Sequence, residues 1–470
     1  MAEKEEQDAP RIYNMFPRLI GSIENWYSHL DRIVDMNFNW IYFNPLSLPG
    51  FSGSLYSIKD YYKFNPLFAP SDAEDPTSWD PFKDFINAAH NKGVKIMYDL
   101  VINHTAVDSP LIDEHPEWYL QKYAIINKQN NYAVKFFSLD ETTTIYEEEF
   151  PSAEYYIEKR IASPYAIDPA DATKITIWGD LAEINNMNSP DLENLEKYWL
   201  NLLDFYHNLG LDGYRCDAAY KIPACMWNLL ISHARKLNPY VLFMAETLGC
   251  TLPELERTME ADFDYINNSS KWWDYTSDWC LKQYNQFRKF APSVGFPESH
   301  DTERLAAETD GRKDIQIFRY FFSSFFSAGV LVPLGYEFGF KKKVNVVDMK
   351  VEDYEEPSFD ISEDINTINK FKRSIRCLNE DGAMIHYNKY KDPNVLILKK
   401  SSVDGKQQLL LIYNKDWNNP HNIDIYFLRE YLTLRKTIYQ IKLNRAASIY
   451  SNDSFIRRLE PNEFVLFLQE

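Results

Sequence analysis

Short runs of β-branched and aromatic residues alternate along most of this chain with longer stretches whose apolar positions recur every three or four residues. The extended runs are "RIYNMFPRLI" near residue 15, "NWIYFNPL" (39–46), "VKIMYDLVINH" (94–104), "LDGYRCD" (211–217), "YVLFMAE" (240–246), "DFDYIN" (262–267), "SVGFPES" (293–299) and "VLVPLGYE" (330–337). Helical stretches such as "PFKDFINAAHNKG" and "CMWNLLISHARKLN" follow them, most ending at Gly or Asn. Eight such rounds predict a closed parallel (β/α)8 barrel of the TIM type; a doubly wound open sheet has the same rhythm.

Two segments break the rhythm. Between Thr105 and Asn188, about eighty residues separate the third strand from its helix, too long for a structureless loop in a compact domain. An inserted domain is expected there, with Ser189 as N-cap and Pro190 in the first turn of the helix that follows. From Asp381 onward, runs such as "AMIHYN", "NVLILKKSS", "QQLLLIYNK", "NIDIYF" and "EFVLFLQE" alternate with turn signals. They predict an antiparallel β-sandwich domain. The expected organisation is a disordered tail over 1–10, the barrel over 11–105 and 189–380, the insert over 106–188 and the β-domain over 381–470. The charged stretch 341–363 reads as a solvated loop after the eighth strand.

Composition narrows the partners. With 50 Lys and Arg against 69 Asp and Glu, the net charge of -19 repels phosphate backbones and anionic headgroups, so neither nucleic acid nor a membrane surface is expected. The opening "MAEKEEQDAP" lacks the features of a secretory signal, and no apolar run reaches bilayer length, which predicts a soluble, cytoplasmic protein; export by a dedicated apparatus would leave the same traces. Five scattered cysteines without a CxxC pair read as reduced, mostly buried thiols. Aromatic residues make up 16% of the chain, enough for a bulky core or for a groove of flat faces that suits sugar rings.

Barrel enzymes keep their chemistry at the C-terminal ends of the strands. Those ends carry Asp99, Asn103 and His104 on strand three, Arg215 and Asp217 on strand four, Glu246 on strand five, and Glu298, His300 and Asp301 on strand seven. Each alone has a structural reading as a cap, an ion pair or a satisfied core histidine. Together they direct three acids, Asp217, Glu246 and Asp301, toward one cleft, where like charges raise at least one pKa. A protonated carboxylic acid beside an ionised one is what glycosidic bond cleavage requires.

Five stretches in order, "LYSIKDYYKFNP" (55–66), "DLVINH", "GYRCDAAYK", "MAE" and "FPESHD", resemble the motifs of the α-amylase family of glycoside hydrolases and transglycosidases. The resemblance implies a barrel with inserted and C-terminal β-domains, and an α-glucan substrate. It implies Asp217 as nucleophile, Glu246 as general acid/base and Asp301 as transition-state stabiliser, acting with retention of configuration. It further implies substrate contacts from Tyr56, Asp99, His104, Arg215, Lys221 and His300. No cofactor is implied beyond a structural calcium ion, which Asn103 touches in some relatives.

The sequence departs from the family pattern at two positions: Ile222 stands where calcium-dependent amylases commonly carry His, and Leu55 where Gly usually precedes the stacking Tyr. Hydrolysis of α-1,4-glucosidic bonds is the first expectation. Transfer to another sugar is the alternative, since both reactions share one covalent intermediate, and Trp118, Trp272 and Trp273 are candidate acceptor-side aromatics. "HPEWY", "WGDLAEIN" and "EPSFDIS" are similar to segments of the maltosyltransferases that use maltose 1-phosphate. A non-catalytic relative that binds sugar or protein is a third reading, against which the presence of all three acids counts.

Overall fold

A computed structural model describes residues 8–138, 143–168, 171–387, 392–423, 438–441, 448–449 and 458–469. Eight parallel strands close into a barrel: β1 (Arg11–Asn14), β2 (Trp40–Phe43), β3 (Lys95–Leu100), β4 (Gly213–Cys216), β5 (Leu242–Ala245), β6 (Tyr265–Asn267), β7 (Ser293–Gly295) and β8 (Gly329–Pro333). Pairing of β1 with β8, Arg11 opposite Val330, completes the ring and excludes the open sheet. Each strand is followed by a helix: α1 (Tyr27–Asp35), α2 (Asp80–Asn91), α3 (Leu192–Leu209), α4 (Ala224–Leu237), α5 (Leu252–Thr258), α6 (Asp278–Phe287), α7 (Lys313–Phe326) and α8 (Ser362–Ser374).

Successive side chains on a strand point to opposite faces, and that alternation sorts the barrel residues. Ile41, Phe43, Ile96, Tyr98, Tyr214, Cys216 and Phe243 face outward into the main core, where they meet the apolar stripes of the helices. Ile12, Trp40, Tyr42, Met97, Leu242, Met244, Val294, Phe296 and Leu331 form a separate cluster filling the lumen. Gly213 belongs to the crowded side: a Cβ there would come within 2.8 Å of Leu242 O. Two residues further along the lumen face come Asp99 after Met97, Arg215 after Gly213 and Glu246 after Met244.

Helix α3 starts at Leu192 with Asp191 as N-cap, two residues later than expected; the Ser189 hydroxyl still accepts from Asp191 N–H at 3.2 Å, and it donates to Glu117 O at 2.9 Å, which ties the insert to the barrel. At the other end Gly210 closes α3 in the left-handed region, φ 101°, which a residue without Cβ adopts at no steric cost.

The insert leaves β3 through His104–Ala106, which pairs antiparallel with Leu181–Glu183, the segment by which it returns. Between them Gln121–Asn127 pairs with both Ala133–Phe137 and Tyr155–Ile161, and Tyr165–Asp168 pairs with Asp171–Ile177. These strands were not legible as alternation because several of their large side chains, Val134, Ile157 and Ile175 among them, are exposed. At the C-terminus a six-stranded antiparallel sheet includes Met384–His386, Val395–Ser401, Gln408–Asn414 and Phe464–Gln469, with a two-stranded sheet, His421–Asn422 and Arg458–Leu459, beside it. Most of the strand expected over 422–427 lies outside the described residues, as do residues 1–7 of the expected tail. Within that tail Ala9 and Pro10 are buried, and Pro10 O accepts from Val330 N–H at 2.9 Å, so the packed chain begins before Arg11. Among the described residues no helix is long and apolar enough to cross a membrane. All five cysteines are free, and Cys216, Cys280 and Cys377 are buried.

Candidate active site

The register of three neighbouring strands assembles the centre of the site. Arg215 on β4 sits opposite Asp99 on β3 and Met244 on β5. Its Nη1 donates to both Asp99 oxygens at 2.9 Å and to Asp217 Oδ1 at 2.8 Å, and Nη2 lies 3.8 Å from Asp301 Oδ2. Arg215 and Asp99 are buried, and the charge-assisted hydrogen bonds from Nη1 to both Asp99 oxygens are what make two charges tolerable there. Burial pushes the Asp99 carboxyl up to about 6, with Arg215 and the Tyr42 and Tyr56 hydroxyls opposing it.

Glu246 joins this group through the backbone of the turn after Asp217. Ala218 stands at φ 44°, a left-handed conformation that a side chain makes costly, and its N–H donates to Glu246 Oε2 at 3.0 Å. Leu248 N–H holds Oε1 at 2.5 Å. Burial pushes the Glu246 carboxyl up to about 8, and the charges of Asp217 and Asp301 add to the rise, while Arg215 and the Leu248 N–H oppose it. Asp217 and Asp301 thus both act on Glu246 electrostatically, and Glu246 is protonated at neutral pH.

Tyr56 links the remaining groups. Its hydroxyl lies 2.7 Å from Asp99 Oδ2 and 2.7 Å from His300 Nε2, and its ring runs nearly parallel to that of His300, 10° between planes. His300 Nε2 also lies 3.2 Å from Asp301 Oδ2, and burial pushes the imidazole down to about 4, so it is neutral. His104 is lowered by burial too; its Nε2 lies 3.2 Å from Tyr56 O and therefore carries the proton that this carbonyl accepts. Lys221 stands apart from this cluster, exposed on the turn Ala219–Lys221 with its Nζ 5.1 Å from the centre of the Tyr220 ring.

Glu298 belongs elsewhere. It is fully buried, takes Arg304 Nη1 at 2.8 Å and Leu305 N–H at 2.6 Å, and so forms a structural ion pair. Of the three tryptophans, Trp118 and Trp273 are core residues, while Trp272, 59% exposed, stands in the turn Ser270–Trp272 that follows β6.

The described contacts of Asn103 supply no carboxylate for a calcium ion: its Nδ2 faces His104 Nδ1 at 3.5 Å, and its O accepts from Ile184 N–H at 2.9 Å. Among the described residues, the group of three His, Cys, Asp or Glu side chains close enough to share an ion is His115, Glu117 and Asp191. There the His115 ring stacks on Trp118 and Trp118 Nε1 donates to Asp191 Oδ2 at 3.1 Å, an interlock between insert and α3.

Sequence reasoning missed Tyr42 and Asn44, which bond to Asp99 and Tyr56, and the grip on Leu55. Leu55 is buried and its N–H donates to Val346 O at 3.0 Å, so the charged stretch after β8 clamps the segment that carries Tyr56. Strand alternation would have put Tyr42 in the lumen; no local signal marks the other two.

A parallel barrel with a carboxylate-rich site at the C-terminal ends of β3, β4, β5 and β7 defines a (β/α)8 enzyme scaffold. Residues 6–127 match the family model of the glycogen debranching enzyme glucanotransferase domain. An α-1,4-glucan:maltose-1-phosphate maltosyltransferase of Burkholderia pseudomallei is 22% identical over 424 residues, 88% of this chain and 33% of that protein. Alpha-amylase 3 of Dictyoglomus thermophilum is 23% identical over 238 residues, 48% of this chain and 39% of that one. The chain thus spans about a third of the first relative's length and about two fifths of the second's. The crystal structure of an α-amylase from Geobacillus thermoleovorans complexed with acarbose superposes with a TM-score of 0.70 at 14% identity, covering 100% of this chain and 99% of that one. In sequence and fold the chain is similar to members of the α-amylase family of glycoside hydrolases and transglycosidases.

Proposed function

We propose that the protein is a retaining glycosidase that hydrolyses α-1,4-glucosidic bonds of α-glucans through a covalent β-glycosyl-enzyme. The observation that carries this reading is a pair of carboxyls joined by one turn: Asp217 held by Arg215, and Glu246 pushed up to about 8 beside it. In the first step an Asp217 oxygen attacks the anomeric carbon, and the glycosidic oxygen leaves with the proton of Glu246. In the second, Glu246, now ionised, takes a proton from water, whose oxygen displaces Asp217 and restores both groups. Asp301, His300 and Tyr56 form the cage around the sugar, Asp301 stabilising the transition state through hydroxyl hydrogen bonds that tighten as charge develops. His104 and Lys221 are assigned substrate contacts as well. The reaction needs no cofactor, and the expected setting is the cytoplasm.

Transfer to a sugar hydroxyl instead of water is the second reading. It is favoured by the glucanotransferase model matched over 6–127, by the similarity to a maltosyltransferase and by the exposed Trp272 at the end of β6, a flat face for an acceptor ring. Incubation with maltoheptaose separates the two. Shorter sugars with reducing ends rising in step support hydrolysis; longer sugars at constant reducing ends support transfer. Conversion only when maltose 1-phosphate is supplied marks a maltosyltransferase. A protein inert on all of these and on aryl maltosides is a binding protein, and the proposal fails.

A further inference from the structure

The lumen beneath the site is lined by Trp40, Met97, Leu242, Met244 and Val294, yet Asn14, Tyr42 and Asn44 bring polar atoms into the same region, all three fully buried. Polar groups survive there only if paired, and the pairing of these three leads in one direction. Asn14 Nδ2 donates to Tyr42 O at 3.1 Å and to Asn44 Oδ1 at 2.9 Å. Asn44 Nδ2 donates to the Tyr56 hydroxyl at 2.9 Å and lies 3.3 Å from that of Tyr42. The Tyr42 hydroxyl donates to Asp99 Oδ2 at 2.5 Å, the oxygen that the Tyr56 hydroxyl also reaches. Asp99 in turn shares Arg215 Nη1 with Asp217.

We propose that Tyr42 and Asn44 are positioning residues for the reaction: through Asp99 and Tyr56 they set how Arg215 is divided between Asp99 and the nucleophile. Arg215 Nη1 carries two hydrogens and faces three carboxylate oxygens within 2.9 Å. Each hydroxyl that Asp99 Oδ2 accepts reduces its demand on Nη1 and leaves a hydrogen for Asp217. Asn44 occupies an acceptor site of the Tyr56 hydroxyl, which turns that hydroxyl's one proton toward Asp99 or His300. Packing alone does not explain this arrangement, since a phenyl ring at position 42 fills the lumen equally well. The inference rests on Asp217 being the nucleophile.

The test is Tyr42→Phe, assayed with maltoheptaose and an aryl maltoside beside wild type, Asp217→Asn and Leu331→Ala, a packing control in the same lumen cluster. Asp99 faces Arg215 and Asp217 from β4 and its turn, Tyr42 from β2 and Tyr56 from the following loop; His300 and Asp301 reach it through Tyr56 and Arg215. Losing one hydroxyl from the ionised carboxyl favours its protonated form. The expected result is a drop in kcat of roughly ten- to a hundredfold, KM within about twofold, and an acid limb of kcat/KM moved to higher pH. Leu331→Ala is expected to lower Tm without moving that limb. Wild-type kcat and limb in Tyr42→Phe overturn the inference, as does the same limb shift in Leu331→Ala. Should Tyr42→Phe fail to fold, Asn44→Ser carries the expectation of lower kcat at constant KM, and wild-type kcat there overturns it. Activity of Asp217→Asn near wild type overturns instead the reading on which it rests.

Discussion

Replacing Glu246 by Gln is expected to stabilise the fold increasingly as pH rises, although it removes the acid on which the proposed cleavage depends. Burial, with Asp217 and Asp301 adding to it, pushes this carboxyl from its ordinary 4.5 up to about 8. A group whose pKa is raised by folding contributes stability that is complete below its unfolded value and is lost as pH rises through its folded value. At about 1.36 kcal/mol per pH unit, wild type gives up ~3 kcal/mol by pH 7 and ~5 kcal/mol above pH 8. Gln has no such loss. It carries a fixed cost, because Ala218 N–H and Leu248 N–H donate to separate oxygens of Glu246 and an amide offers only one; the orphaned donor costs ~1–3 kcal/mol at every pH. The pH dependence of the difference is therefore the quantity to measure. An unfolding entropy of about 2.1 cal/mol/K per residue over 470 residues makes 1 kcal/mol worth about 1 °C. Scanning calorimetry of both proteins should find the variant's Tm gaining on wild type by about 3 °C between pH 4 and 7, and by about 5 °C at pH 9. A Tm difference that stays constant across that range refutes the argument, because Glu246 then has an ordinary pKa and cannot be the acid at neutral pH.

Four further outcomes are expected. Asp217→Asn should lose at least about three orders of magnitude in activity on maltoheptaose, in line with removal of the covalent route; near-wild-type turnover means the nucleophile lies elsewhere. The kcat/KM of wild type should fall above pH 8, where Glu246 ionises, and a profile flat to pH 9.5 contradicts the assignment. Arg304→Met strips the partner from buried Glu298 and should cost about 3–5 kcal/mol in urea unfolding; a loss under 1 kcal/mol would show that Glu298 does not depend on this pair. Treatment with EDTA should leave Tm and activity unchanged, because the described contacts of Asn103 include no carboxylate to share a calcium ion, and a loss restored by calcium would overturn that expectation.

The alternation of strand and helix patterns made the barrel legible because each element buries one face, and a buried face leaves a period in the sequence. It also made the charged rim legible, since Asp99, Arg215 and Glu246 extend lumen-facing positions whose parity can be counted along their own strands. What only the tertiary structure decided are contacts between segments distant in the chain. Glu298 stands at the same rim as Asp301, yet Arg304 draws it into a structural pair. Leu55 is clamped by Val346, and Asn14 reaches Asn44 because β1 pairs with β2. The backbone N–H groups of Ala218 and Leu248 on Glu246 carry no residue signature at all, since every residue but proline has one. Periodicity reports which face of an element is covered; the partner that covers it is set by closure of the ring.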